Sequence, residues 1–273
     1  MLHKNIALAD RHAPHSFEYA NAAAREAATG FVTADIGKLA WQTDDDTFWV
    51  LKATTPTWVL LGTAASAVDT YWRNNTVLAM HFDGANGSTT ITDQKGKAAT
   101  AYGNAHISTA QSKFGGSSAY FDGTGDYISF ASNSDFSFGT GDFTVEFWLN
   151  CTRAGNVIDY ASNTPNLYFD GSNNLVFYAG GASRISTSGV VANTWQHIAL
   201  CRSGTSTRLF IDGTQVGSTY TDTINYSNAV PYIGSNNGGT GSITGYIDDL
   251  RITKGIARYT TNFTPPTAAF PDA

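Results

Sequence analysis

Charge is scarce in this sequence. Asp, Glu, Lys and Arg make up 14% of its 273 residues, and glutamate occurs only at positions 18, 26 and 146. The formal net charge is −6, and no block of Lys or Arg interrupts the chain. Duplex binding depends on neutralising phosphates with such blocks, so nucleic acid is not an expected partner. Long apolar runs are missing too. None approaches the ~18 residues of a membrane-spanning helix, so no membrane insertion is expected. The opening MLHKNIALADRHAPH lacks the charged start and apolar centre of a secretory signal, which implies synthesis in the cytoplasm without signal-directed export. Cysteine is nearly absent, at Cys151 and Cys201 alone. With no export signal, two reduced thiols are the default. Each follows a strand-like run, which leaves a cross-strand disulfide as the alternative.

What the chain has in quantity is glycine (27), phenylalanine (16) and tyrosine (13). That mixture suits sheets joined by tight turns, and neither a helical bundle nor a disordered chain. Five runs repeat one pattern: FGGSSAYFDGTGDYISF (114–130), FTVEFWL (143–149), WQHIALCR (195–202), LFIDGTQVG (209–217) and GYIDDLRI (245–252). Each alternates apolar and polar residues beside a Gly or Asp-Gly turn, as a half-buried antiparallel strand does on reaching a hairpin. In FTVEFWL the alternation sets Val145, Phe147 and Leu149 on one face and Thr144, Glu146 and Trp148 on the other. The expected fold class is all-β.

Three parts follow along the chain. Residues 1–62 read as a small, mainly-β module. It has a polar arm, a short Ala-rich helix from a Ser16 cap to Gly30, and strand-like runs at 31–34, 38–42, 47–52 and 57–61. Trp41, Trp49 and Trp58 pack its core. So short a unit buries little surface, which predicts that it gains stability from further copies or a docking partner. Residues 63–75 read as a linker, and 76–273 as one continuous sandwich. Its first strand is predicted at 77–82 and its last at 246–253, before a Pro-containing extended tail.

Candidate chemistry is sparse. Glycoside cleavage on a sheet needs two carboxylates flanking the bond, and Glu146 has no acidic residue two or four positions away. No G-x-S-x-G elbow is present, and neither cysteine is tied to a histidine by a motif. His12-Ala-Pro-His15, the one close histidine pair, sits on a Pro-containing arm and makes a poor zinc site. No enzyme activity is expected. A sugar site would need aromatic faces with polar groups beside them, and the candidates are Glu146, Trp148, Tyr168, Tyr178 and Arg184.

The five runs, in this order, resemble the laminin-G-like branch of the concanavalin A-like lectin/glucanase jelly rolls. The resemblance implies a jelly-roll β-sandwich over residues 76–273 whose first and last strands pair, used for binding or scaffolding. It also implies a calcium ion near that strand junction, where Asp83 and Asp248 are the matching positions, with Asp122 and Asp126 as a second acidic loop; ordinary turn carboxylates are the alternative. The stretch GFVTADIGKLAWQTDDDTFWVLKATTPTWVLLG (30–62) resembles a small module of phage tail fibres, head fibres and related virion proteins. Together the resemblances imply a non-enzymatic virion structural protein, a short tail fibre or receptor-binding protein, or a capsid decoration or head-fibre protein. Residues 1–62 would attach to other virion proteins and assemble a homotrimer, and the C-terminal domain would adhere to host-surface glycan. The alternatives are a capsid cement protein that binds no sugar and a polysaccharide-degrading jelly-roll enzyme.

Overall fold

Alternating apolar residues and Asp- and Gly-containing turns build two separate units. The computed structural model describes residues 17–42, 47–63, 69–160, 165–227 and 230–272. The chain divides between Val68 and Asp69.

The first unit is a four-stranded sheet. Strand β1 (Phe17–Tyr19) pairs in parallel with β2 (Leu39–Gln42), and β2, β3 (Thr47–Ala53) and β4 (Thr57–Thr63) follow as an antiparallel meander. The helix is shorter than expected. It covers Ala22–Glu26, and its cap is Asn21, whose side-chain oxygen accepts the Ala24 N–H at 2.9 Å. Ser16, the expected cap, lies outside the described residues. The strand expected at 31–34 is instead a 3-10 turn, Thr33–Asp35. The Asp35 carboxylate causes it, accepting from Val32 N at 2.9 Å and from Lys38 Nζ at 2.6 Å. The described core is small: Ala40, Val50 and Leu51 are buried, beside Arg25, which bonds Gln42 and lies 3.5 Å over the Trp49 ring. Trp58 is half-buried among Phe17, Tyr19 and Phe31.

The second unit, Asp69–Asp272, is a sandwich of two sheets. Its strands are β5 (Thr76–Met80), β6 (Ala99–Tyr102), β7 (His106–Ser108), β8 (Ser118–Asp122), β9 (Tyr127–Phe130), β10 (Phe143–Cys151), β11 (Gly155–Asp159), β12 (Asn166–Phe169), β13 (Leu175–Ala179), β14 (Ala182–Thr187), β15 (Gln196–Ser203), β16 (Ser206–Ile211), β17 (Thr214–Thr221), β18 (Tyr232–Ile233) and β19 (Thr244–Lys254). One sheet runs β17-β16-β15-β10-β19-β8-β7, and the other β14-β13-β12-β11-β18-β9-β6. The long strand β19 takes β8 along its first half and β5 along its second. The expected pairing of first and last strands is therefore present, with Met80 opposite Leu250. The predicted alternation in β10 also holds: Val145, Phe147 and Leu149 enter the core between the sheets, with Phe121, Phe177, Ile198 and Ile247.

Thr144, Glu146 and Trp148 face the other way, yet every residue of β10 is buried. The tail after β19 covers that face. Tyr259 and Phe263 stack at 3.5 Å and pack on Ala199, Cys201 and Phe210, while Phe263 N bonds Gly213 O and Phe270 N bonds the Asp249 carboxylate. The start of the unit closes the same face and moves the expected boundary. Residues 69–75, read as linker, belong to the sandwich, because buried Asp69 pairs with Arg251 at 3.1 Å and with Arg258 at 2.6 Å.

Cys151 and Cys201 are free and buried. Strands β10 and β15 do pair, but Cys201 opposes Thr144 while Cys151 lies at the far end of β10 and in the core. Among the described residues no helix is long and apolar enough to cross a membrane.

Candidate functional site

The outward face of the seven-stranded sheet is defined by the residues that point inward. Ile128 and Phe130 of β9, Ile233 of β18, Ile158 of β11, Leu167 of β12 and Phe177 of β13 all lie in the core. Alternation therefore turns Tyr127, Tyr232, Asp159, Asn166, Tyr168 and Tyr178 outward. In β11 the register shifts between Asn156 and Ile158, and Val157 and Ile158 both enter the core. That bulge re-aims the next side chain, Asp159, onto the outer face.

The register then sets these residues side by side. Ser129 opposes Tyr232, and Tyr232 opposes Asp159. The pair Ile158–Leu167 puts Asp159 across from Asn166, which is followed along the row by its own partner Tyr178. At one end Tyr102 opposes Tyr127, with rings stacked at 4.4 Å and 7°, and Tyr127 and Tyr232 lie 6.0 Å apart. At the other end Tyr168 and Tyr178 meet edge to face at 6.3 Å.

Between these two tyrosine groups stand a carboxylate and an amide. Asp159 Oδ2 accepts the Asn237 N–H at 3.2 Å. Asn166 Oδ1 is buried with no hydrogen-bond partner. Burial raises the Tyr232 phenol, and Tyr127, Asp159 and Tyr102 push it the same way. Flat aromatic faces take the apolar face of a ring, while a carboxylate and an amide take the hydroxyls on its rim.

Of the residues singled out in the sequence, Tyr168 and Tyr178 lie in this row. Arg184 does not join them. It sits at the β13–β14 register shift, where its Nε donates to Ala179 O at 2.7 Å and its guanidinium covers Tyr220 at 4.9 Å. Glu146 and Trp148 belong to the outer face of the other sheet and are 0% and 4% exposed. Trp148 is enclosed by Phe114, by Lys113 with its Nζ 3.8 Å from the ring, and by His197. Glu146 is held by Arg251 at 2.8 Å, the Tyr259 hydroxyl at 2.9 Å and Arg258 at 3.5 Å. Burial opposes its ionisation, but Arg251, His197 and Arg258 outweigh burial and hold the carboxyl down at about 2.

The expected metal ligands border one turn. Asp248 Oδ2 accepts from Lys113 N at 2.6 Å and from Phe114 N at 3.0 Å, while its Oδ1 is buried without a partner. Burial pushes this carboxyl up to about 7. Asp83 lies against Gly115, where φ is 60° and any side chain would collide with the Asp83 carboxylate. An unpartnered oxygen fits a hard cation, but the donor set is thin: among the described residues no three His, Cys, Asp or Glu side chains gather as ligands. In the second acidic loop, Asp126 accepts from Asn104 N at 2.5 Å and Asp122 N at 2.6 Å, and Asp122 accepts from Thr124 N at 2.8 Å, which is turn chemistry.

Sequence reasoning missed Tyr102, Tyr127, Tyr232, Asp159 and Asn166. The run DYISF carried a usable signal, since its alternation already set Tyr127 and Ser129 opposite the apolar face.

Residues 122–256 match the profile of the concanavalin A-like lectin/glucanases superfamily. The second unit, in which the matched residues lie, has the antiparallel jelly-roll sandwich expected of that superfamily. No curated protein matches the chain in sequence. Among solved structures, the binding domain of Paraclostridial Mosquitocidal Protein 1 superposes with a TM-score of 0.52 at 18% identity, covering 68% of this chain and 50% of that one. Trypanosoma rangeli sialidase in complex with sialic acid gives 0.54 at 13% identity, covering 80% and 42%. The binding domain of Botulinum Neurotoxin DC in complex with SialylT gives 0.50 at 13% identity, covering 66% and 48%. The chain spans half or less of each of these three, and at such identities the likeness is one of fold. Both a sialidase and toxin binding domains share it.

Proposed function

We propose that the chain is a non-enzymatic adhesion protein of a phage virion, whose jelly roll holds host-surface glycan on the outward tyrosine row. The observation that carries the glycan reading is the pair of tyrosine groups with Asp159 and Asn166 between them. Sugar rings stack on such faces while hydroxyls reach the polar groups. Binding without hydrolysis is supported by the state of Glu146, the one glutamate of this unit, which is ionised, buried and held by arginines. A glycosidase needs one carboxyl to stay protonated beside a second at the bond.

The virion reading is supported by the resemblance of residues 30–62 to phage fibre and head-fibre modules. The first unit also has few buried apolar residues and leaves Val32, Ile36 and Val59 exposed at 58%, 43% and 43%. Assembly as a homotrimer, or docking on another virion protein, would cover them. Calcium at Asp83 and Asp248 is part of the same proposal. The unpartnered Asp248 Oδ1 supports it; Asp83 and backbone carbonyls would add oxygens, and the ion would tie the turn at 113–116 to β19.

A glycan array read beside a reducing-sugar assay on the same polysaccharide tests the function. Retained glycan, no released sugar and loss of binding in Tyr232→Ala are expected. Release of sugar overturns the non-enzymatic reading. Absence of any retained glycan leaves only capsid decoration.

A further inference from the structure

A second outward aromatic row lies on the other sheet. We infer that it is a further, weaker glycan site on the opposite face of the sandwich, so that one jelly roll holds two separate stretches of neutral polysaccharide. This rests on the glycan reading above for the kind of ligand, and adds a second place for it.

The row follows from the register. His106 on β7 opposes Tyr120 on β8, Tyr120 opposes Tyr246 on β19, and Tyr246 opposes Asn150 on β10. Ile107, Ala119, Ile247 and Leu149, the next residues along these strands, lie in the core, so alternation turns the four outward. The rings adjoin: the centroids of His106 and Tyr120 are 5.3 Å apart, and those of Tyr120 and Tyr246 5.1 Å. The tail packs over Ala199, Cys201 and Phe210, on β15 and β16, whereas His106, Tyr120 and Tyr246 are half-exposed.

The polar groups beside these rings are uncommitted. His106 Nδ1 lies 2.6 Å from Asn104 O, a carbonyl that can only accept. Nδ1 therefore carries the proton, and Nε2 of the neutral imidazole is left as an acceptor. Among the described residues, nothing bonds the hydroxyls of Tyr120 and Tyr246 or the side chain of Asn150. Trp195 continues the row, because the pair Leu149–Gln196 sets it across from Asn150, and its Nε1 is buried without a partner. A buried donor without an acceptor is unfavourable, and a sugar hydroxyl lodged beside Asn150 would relieve it. No aliphatic side chain stands among these five residues to form the apolar centre of a protein interface. Flat faces rimmed by hydroxyls, an amide and an imidazole suit sugar rings instead.

Three adjoining rings stand here against the five tyrosines of the first row, so the affinity is expected to be about tenfold lower. Retention on an array then still follows Tyr232. The sheets pack about 10 Å apart and the two rows face away from each other, so one short stretch of glycan cannot touch both. Filling both sites ties two stretches to one jelly roll.

Fluorine NMR of the full chain carrying fluorotyrosine, titrated with neutral hexaoses of glucose, galactose and mannose, tests this. Single Tyr→Phe variants assign the resonances. Tyr127 and Tyr232 are expected to shift first, and Tyr120 and Tyr246 at about tenfold higher sugar. Tyr232→Ala should abolish the first response and leave the second. Tyr246→Ala, checked for an unchanged melting temperature, should do the reverse. His106→Ala, on an edge strand, should raise the second midpoint about two- to tenfold, as loss of one hydrogen bond does. Tyr120 and Tyr246 resonances that stay still while the first set moves overturn the inference and leave the first row. Shifts of both sets that vanish together in Tyr232→Ala report a single site and overturn it too. Stillness of both sets with every hexaose overturns the glycan reading, and the inference with it.

Discussion

Glu146 and Arg251 oppose each other on neighbouring strands, with Arg251 Nη2 2.8 Å and Nε 2.9 Å from Glu146 Oε1. Arg251 also reaches Asp69 at 3.1 Å, and Arg258 grips Asp69 at 2.6 Å and 2.9 Å. Two acids and two bases thus balance beneath the tail. They join the start of the unit, its central strands and its end.

Removing one member leaves the others buried and unbalanced. Glu146→Ala is expected to lower the stability of the second unit by about 3–5 kcal/mol, the usual cost of breaking a buried ion pair from one side. Urea unfolding followed by tryptophan fluorescence measures it. A loss under about 1 kcal/mol would mean that the pair contributes no more than an exposed one does, despite its burial.

The same carboxyl predicts sensitivity to acid. Its value in the folded protein, about 2, lies below the usual 4.5. The stabilisation is therefore complete above pH 4.5 and is lost as pH falls toward 2. It amounts to about 3 kcal/mol. Unfolding midpoints should drop between pH 5 and pH 2 in the parent protein and drop less in Glu146→Gln.

Both thiols should be inert in the folded state. Burial pushes Cys151 up to about 11 and Cys201 up to about 12. Since only the thiolate reacts, Ellman's reagent should label neither cysteine before urea unfolds the protein and both afterwards. Prompt labelling of the native protein would place a thiol in solvent.

Calcium should raise the melting temperature, and a chelator should reverse the gain. Asp248→Asn is expected to abolish the response, because Oδ1 of Asp248 is the unpartnered oxygen of the turn. An unchanged melting temperature across calcium concentrations would reduce Asp83 and Asp248 to turn carboxylates.

The exposed apolar residues of the first unit predict assembly through it. Val59→Asp with Ile36→Asp should convert a trimer to monomers by light scattering, with the far-ultraviolet spectrum retained. A parent protein that is monomeric at all concentrations removes the trimer.

The sheets were largely legible because alternation is a local signal. FTVEFWL announced which of its residues enter the core, and the jelly roll followed from five such runs. What covers the opposite face was not local. Glu146 and Trp148 looked available because Tyr259, which closes over Glu146, lies 113 residues further on. The tyrosine row was hidden for a similar reason, since Tyr102, Tyr127, Tyr168, Tyr178 and Tyr232 come from five strands whose order in the sheet is not their order in sequence. Asp159 was harder still, because a one-residue bulge reversed its face. In the first unit, a single side-chain bond from Asp35 to Val32 N turned a strand-like run into a 3-10 turn.

The superfamily match begins at Asp122 and ends at Ile256. Strand β19 would keep neither outer neighbour within those limits, since β5 and nearly all of β8 lie before them. Arg251 would lose Asp69, and the aromatic tail that roofs Glu146 would be missing. The stretch that recurs among relatives is therefore not a transplantable piece. Any natural recombination or laboratory graft that moves this jelly roll intact has to carry it from Asp69 to Asp272, because the two ends of the unit fasten its middle.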